Sequence, residues 1–323
     1  MGFTRIDVHA HFLPDFYNDA LVEAGQTHPD GMPAIPKWSE EAALTMMDKL
    51  QIKAAVLSIS SPGVHFGDDL KAKQLARRVN EEGTRLRQAH PGRFGLFAVT
   101  PLPNVEMAIE EVVYALDELY AEGVVVESNH HGLYHGDPRL DPFYAELNSR
   151  KAAMFIHPTS PSCDGCGVLA LGYPRPMLEF MFETTRTVTH LVLSGVTTRF
   201  PDIRIIVPHA GAALPVLASR VDGLAHFMLQ GLGKPVPQLK TEMRKLYYDL
   251  AGAPLPELLE ALLRIADPER IFYGSDWPFT PMAAVEDAAS GLDATPLLEG
   301  KVRQAVMMGN AFKLFADFTS GTS

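Results

Sequence analysis

In Ile6-Asp7-Val8-His9-Ala10-His11, two imidazoles sit two residues apart at the end of an apolar run. Side chains alternate faces along a strand, so His9 and His11 point the same way. Two neutral imidazoles held side by side can bind one divalent cation. Three further apolar runs, over 153–157, 203–209 and 271–276, end in His157, His209 and Asp276. A lone His-x-His is weak, since a histidine at a strand end is commonly a structural residue. Four strand ends carrying ligand types point further, to a metal site with open positions that can polarise a substrate oxygen or activate water.

For those side chains to meet, their strands must end at one place. Candidate strands cover 5–9, 54–60, 94–100, 123–128, 153–157, 203–208, 246–251 and 271–275. Helical patterns fall between them at about 39–50, 68–89, 104–121, 138–150, 175–199, 213–229, 255–266 and 296–316. Continuous apolar strands such as Ala54-Ala55-Val56-Leu57 suit a sheet buried on both faces, hence parallel. Ser39 before Glu40-Glu41 reads as an N-cap, and Pro174, Pro254 and Pro256 stand where helices can begin. Eight strands alternating with eight helices predict an α/β fold, a single (β/α)8 TIM-type barrel domain over 1–323. An open doubly wound sheet is the alternative, but no Gly-x-Gly-x-x-Gly follows the first strand. The stretch 12–38, rich in Pro and Gly, shows no helical period and reads as a loop insertion after the first strand. The stretch 231–240, with Pro235 and Pro237, reads as a second loop, and the tail from Thr319 should fray.

In this fold, sites lie at the C-terminal ends of the strands. Closure makes the last strand the neighbour of the first, which sets Asp276 beside His9 and His11. His157 and His209 come from adjacent strands. One ion can therefore meet His9, His11, His157 and Asp276, with His209 at the edge of the group.

Composition bounds the rest. The chain has 323 residues, 46% of them hydrophobic and 21% charged, which suits a globule with a large core. No window of about 18 apolar residues appears, so no spanning helix is expected. A formal charge of -11 argues against nucleic acid or an anionic membrane as partner. The first strand begins at once, leaving no room for a signal peptide, and two cysteines fit a reducing compartment, so the expectation is a cytoplasmic protein. Cys163-Asp164-Gly165-Cys166 alone is a weak metal or redox signal. His65, His130, His131 and His135 fall in loops on the active face, where they can tune a site.

Several pieces together resemble the metal-dependent amidohydrolase superfamily, in the branch of aminocarboxymuconate-semialdehyde decarboxylase and the salicylate-type decarboxylases. They are Asp7-Val8-His9-Ala10-His11, Phe155-Ile156-His157-Pro158, Phe200-Pro201-Asp202, Pro208-His209-Ala210-Gly211, Gly274-Ser275-Asp276-Trp277-Pro278-Phe279 and Gly309-Asn310-Ala311. Within the branch, the 6-methylsalicylate decarboxylases look similar at Lys37-Trp38-Ser39, Ser61-Pro62-Gly63 and Glu183-Thr184-Thr185-Arg186-Thr187. The resemblance covers residues 5 to 316. It implies a barrel, one divalent ion (zinc or manganese) and loss of carbon dioxide without oxidation. Binuclear relatives carry a lysine at the end of strand four; here that strand has no lysine, which disfavours a second ion, although Glu127 is a carboxylate able to bridge. Two arginines hold the dicarboxylate substrate in the muconate enzymes. The matching positions are Ala43 and Arg220, so one arginine remains, which suits one carboxylate.

The resulting expectation is a carboxy-lyase acting on an ortho-hydroxybenzoate like 6-methylsalicylate and releasing a phenol. Protonating the ring carbon that bears the carboxylate gives the departing electrons a sink. Asp276 is the expected acid, and His209 is expected as orienter or base for a water on the metal, or as donor to the substrate oxygen. Arg220 is expected to pair the carboxylate, reaching across a homodimer or dimer of dimers as the family's arginine does. Trp277 and Phe279 are expected to floor the pocket. The alternatives are the muconate-semialdehyde decarboxylase itself, or a metal-dependent hydrolase of a lactone or amide.

Overall fold

A computed structural model describes residues 3–163, 168, 170–230 and 236–315. Eight parallel strands pair side by side: β1 (Arg5–His11), β2 (Ile52–Ser58), β3 (Phe94–Val99), β4 (Gly123–Glu127), β7 (Ala153–His157), β8 (Arg204–Val207), β9 (Tyr247–Asp249) and β10 (Ile271–Phe272). After β4 the chain makes a short antiparallel hairpin, β5 (Asn129–His130) with β6 (Leu133–Tyr134). Closure runs through residues flanking β10. Val8 N–H donates to Tyr273 O at 3.1 Å and His11 N–H to Trp277 O at 2.8 Å, with bridges Asp7↔Tyr273 and Ala10↔Trp277. The expected (β/α)8 barrel is the architecture.

Burial explains why these runs are strands. Every residue of β1, β3, β4 and β7 is buried, inside the barrel or under the helices, which removes the alternation of a half-exposed strand. Three helix starts are set by side-chain caps: Ser39 Oγ accepts from Ala42 N, Asp68 Oδ1 from Lys71 N, and Asn104 Oδ1 from Met107 N. The Ser39 cap is the one the sequence announces.

The differences are local. The stretch 12–38 is not all loop: it holds a helix, Asp15–Glu23, and a short 3-10 turn, Pro29–Gly31. Tyr17 and Leu21, four apart, are its buried pair, a helical spacing too short to show as a period. In the second loop, residues 231–235 lie outside the described residues, and Leu239–Met243 is helical. The pattern over 175–199 divides into a 3-10 turn, a helix Glu179–Leu193 and a short helix Val196–Arg199, broken where Gly195 turns to φ 79°. Met282–Ala294, poor in large apolar residues, forms a helix the period did not reveal. Among the described residues no helix is long and apolar enough to cross a membrane.

Candidate metal centre

The strand ends deliver His9, His11 and His157 to one point, and Asp276 follows just after β10. Their ligand atoms lie within 4.8 Å of one another, the one such group among the described residues. His9 Nε2 is 3.1 Å from His11 Nε2; Asp276 Oδ1 is 3.1 Å from His11 Nε2 and 3.5 Å from His9 Nε2. Two atoms bound to a shared ion at about 2.1 Å stand roughly 3 to 3.5 Å apart, so this part of the set fits a divalent cation. Three imidazoles and one carboxylate suit zinc or manganese and leave positions open.

The rings are anchored from behind. Asp249 Oδ2 sits 3.0 Å from His9 Nδ1, and both side chains are fully buried. His11 Nδ1 lies 3.2 Å from Ser58 O and 3.1 Å from Ser58 Oγ. Each anchor keeps the proton on Nδ1 and the Nε2 lone pair toward the centre. Asp249 also accepts through Oδ1 from the backbone N–H groups of His209 and Ala251, at 3.1 and 2.9 Å. One carboxylate thus fixes the end of β1 and the turn after β8.

Charge follows from the same contacts. Burial would raise the Asp276 carboxyl, but hydrogen bonds to His11 and His209 and the nearby His9 hold it well below the usual range. Burial pushes the His11 and His157 rings down, His157 far down, with neighbouring imidazoles adding to the effect. Burial would lower the His9 ring as well, but Asp249 beside its Nδ1, with Asp276 and Asp7, raises it above its ordinary value; ligation needs the facing nitrogen of each ring free of its proton. Backbone strain is concentrated here too: His209 and Asp276 both adopt left-handed φ, 54° and 58°.

His209 stands at the rim, its Nε2 3.8 Å from Asp276 Oδ2. Asp276 Oδ2 also accepts from Thr280 Oγ1 at 3.1 Å. The centre opens into a cavity of about 420 Å³ whose apolar wall includes Phe180, Met181, Leu258 and Phe279. Of the expected floor residues, Phe279 lines this cavity. Trp277 does not: it borders an outer hollow with Met46 and Met282. Arg220 is exposed on the helix Leu214–Gln230 and absent from the cavity wall. Ala43 is a core residue. A second cavity of about 490 Å³ adjoins, sharing Asp30 and lined by Glu127, His65, His130, His131 and Arg175. His135 is buried between Tyr144 Oη and Glu127 O, each 2.9 Å away. Of the Cys163/Cys166 pair, Cys166 lies outside the described residues.

Sequence reading missed Asp249, Ser58 and Ser60, the last with its Oγ 3.4 Å from His157 Nε2. Asp249 had a signal, since the candidate strand 246–251 carries a ligand-type residue near its end; the serines had none.

A family profile described as amidohydrolase matches residues 6–316. The 6-methylsalicylic acid decarboxylase of Penicillium expansum is 34% identical over 315 residues, 96% of this chain and 96% of that one. A crystal structure of an amidohydrolase II aligns with TM-score 0.91 and 35% identity, covering 97% of this chain and all of the other. A dihydroxybenzoic acid decarboxylase from Polaromonas, solved with bound manganese and 2-nitroresorcinol, has the same fold at TM-score 0.83 and 23% identity, with 97% of each chain covered.

Proposed function

The chain belongs to the amidohydrolase family, and on that premise we propose that it is a metal-dependent carboxy-lyase acting on an ortho-hydroxybenzoate of the 6-methylsalicylate type. The observation that carries this reading is a four-ligand centre opening into a cavity with a largely apolar wall. That wall suits an aromatic ring with an alkyl substituent, and the volume suits a small ligand. Among the described residues no arginine lines this cavity, so little there favours a second carboxylate.

In this reading His9, His11, His157 and Asp276 hold one zinc or manganese ion. When bound, the ion polarises the adjacent carboxylate and phenol oxygens of the substrate. Asp276, ionised at rest, takes the phenol proton and passes it to the ring carbon bearing the carboxylate. The carbon–carboxylate bond then breaks, its electrons restore the aromatic ring, and carbon dioxide leaves. The product oxygen recovers a proton from solvent through His209, which stands beside Asp276. Phe279 and Phe180 hold the ring and keep water from it.

The helix Leu214–Gln230 supports a homodimer, or a dimer of dimers. Val216, Leu224, Phe227 and Met228 are exposed at helical spacing, with Arg220 on the same face. A second copy seated there brings Arg220 to the rim of the partner's site, where it pairs the substrate carboxylate.

The test is product analysis with protein loaded with manganese or zinc. Release of carbon dioxide with 3-methylphenol from 6-methylsalicylate is expected. Formation of a new carboxylic acid from a lactone or amide panel, without carbon dioxide, would replace this reading by a hydrolase. Light scattering should give a dimer or tetramer, and full activity from a monomer would remove Arg220 from the site.

A further inference from the structure

β4 and β7 pair in parallel with Glu127 directly opposite His157, at the C-terminal end of both strands. Both side chains are buried. The two ring nitrogens of His157 face different neighbours. Nε2 lies 3.4 Å from Ser60 Oγ, on the side of the cavity, and Nδ1 lies 3.7 Å from Glu127 Oε2, in the wall behind. Neither Nδ1 nor Oε2 has a hydrogen-bond partner, although both are sealed from solvent. Buried polar atoms are nearly always paired, and these two orphans face each other with complementary chemistry.

The other histidines of the centre show what is missing. His9 and His11 each rest Nδ1 on an acceptor, Asp249 Oδ2 and Ser58 O, and present Nε2. A ring that ligates an ion must be neutral, with one nitrogen free of its proton. A neutral ring carries its proton on one nitrogen or the other, and only the form protonated on Nδ1 offers Nε2 to an ion. Glu127 is the acceptor within reach. The geometry points to Glu127 as the positioning residue of His157: it accepts from Nδ1–H, fixes the tautomer, and aims Nε2 at the centre.

Local structure holds Glu127 in place for this role. Gly63 has φ +74°, and a Cβ there would stand 3.3 Å from Glu127 Oε1, so a side chain at 63 would crowd the carboxyl. Tyr17 Oη donates to Gly63 O at 2.7 Å, tying the helix Asp15–Glu23 to the same support. Glu127 is also outside the four-residue ligand group, so it acts behind a ligand instead of bridging two ions.

This inference rests on the metal-binding reading of the centre, and the experiment separates the two. Manganese or zinc affinity is measured by chelator competition on wild type, Glu127→Gln and Glu127→Leu, with the thermal midpoint of each apoprotein recorded. The amide oxygen of glutamine still accepts, so Glu127→Gln should stay near wild type, while Glu127→Leu should bind about 10- to 100-fold more weakly. The His157 tautomer is read in wild-type apoprotein from imidazole nitrogen shifts, and protonation on Nδ1 is expected. A wild-type ring protonated on Nε2, or a folded Glu127→Leu with unchanged affinity, overturns the role of Glu127. Absence of metal binding by wild type itself would instead overturn the metal reading.

Discussion

Asp249→Asn isolates one hydrogen bond among three. Asp249 Oδ1 accepts from two backbone N–H groups, and an asparagine oxygen in the same place keeps both. Only the contact of Oδ2 with His9 Nδ1, 3.0 Å long and fully buried, changes character. An amide NH₂ there is a donor, so the ring must turn its Nδ1 lone pair toward it and carry its proton on Nε2. That nitrogen is then lost to the centre. Because a hydrogen bond survives in the flipped tautomer, folding should weaken by only about 1 kcal/mol. Metal affinity should fall about 10- to 100-fold, or roughly 1.4 to 2.7 kcal/mol. Asp249→Ala is a poorer probe, since it strands two buried N–H groups at about 1 to 3 kcal/mol each and tests folding as much as ligation. The assay is chelator competition with manganese, alongside denaturant unfolding of the apoprotein. If Asp249→Asn bound manganese within about threefold of wild type, the tautomer argument would be refuted.

His11→Ala and Asp276→Ala should each lose bound metal and turnover, whereas His209→Ala should keep about one ion per chain by elemental analysis and lose turnover. Removing the ortho-hydroxyl from the substrate should cost far more in kcat/KM than removing the methyl group, which is worth about 1–3 kcal/mol in an apolar pocket. The buried carboxyls should contribute to the apoprotein's stability with opposite signs along the pH scale. The Asp276 and Asp249 carboxyls lie below their ordinary value when folded, so their contribution is present above about 3.9 and fades as pH falls through the depressed values. Asp7 has the opposite sign: burial raises its carboxyl to about 7, so its contribution is full below about 3.9 and is lost as pH rises through 7. Denaturant melts from pH 3 to 8 should show the stability advantage of wild type over Asp7→Asn shrinking as pH rises from about 4 to 7. Gly274→Ala should destabilise the protein by about 1 to 3 kcal/mol, since the new methyl would stand 2.9 Å from His9 Cβ and 3.3 Å from Asp249 Cβ.

The ligand group was legible because strand ends in a parallel barrel share one rim, so residue type and position along the strand fix the neighbourhood without further detail. His9, His11, His157 and Asp276 all follow from that rule. Asp249 obeys it as well, yet lies behind a ring and not in front of it, and only register distinguishes the two. Consecutive barrel strands already set 123–128 beside 153–157; that Glu127 stands directly opposite His157 is a matter of register, which no local pattern declares. Trp277 shows the limit from the other side: one residue past Asp276, it turns outward, because the left-handed turn at Asp276 redirects the chain. Arg220 lies on a helix face, where exposure in one chain says nothing of what a neighbour covers.

The seam between β1 and the residues after β10 joins segments far apart in the sequence, and His11 meets Asp276 across a separation of 265 residues. A growing chain exposes its paired histidines well before it can complete the centre, because 265 residues must still be made before Asp276. At roughly 5–20 residues per second, that interval is on the order of tens of seconds. Early truncations therefore carry a half-built chelator, open to whichever ion reaches it. Once the last strand closes, a cation held across the seam acts as a clasp on a ring of chain whose closure entropy is already spent. Loss of the ion should loosen the barrel there first, where the first strand meets the last.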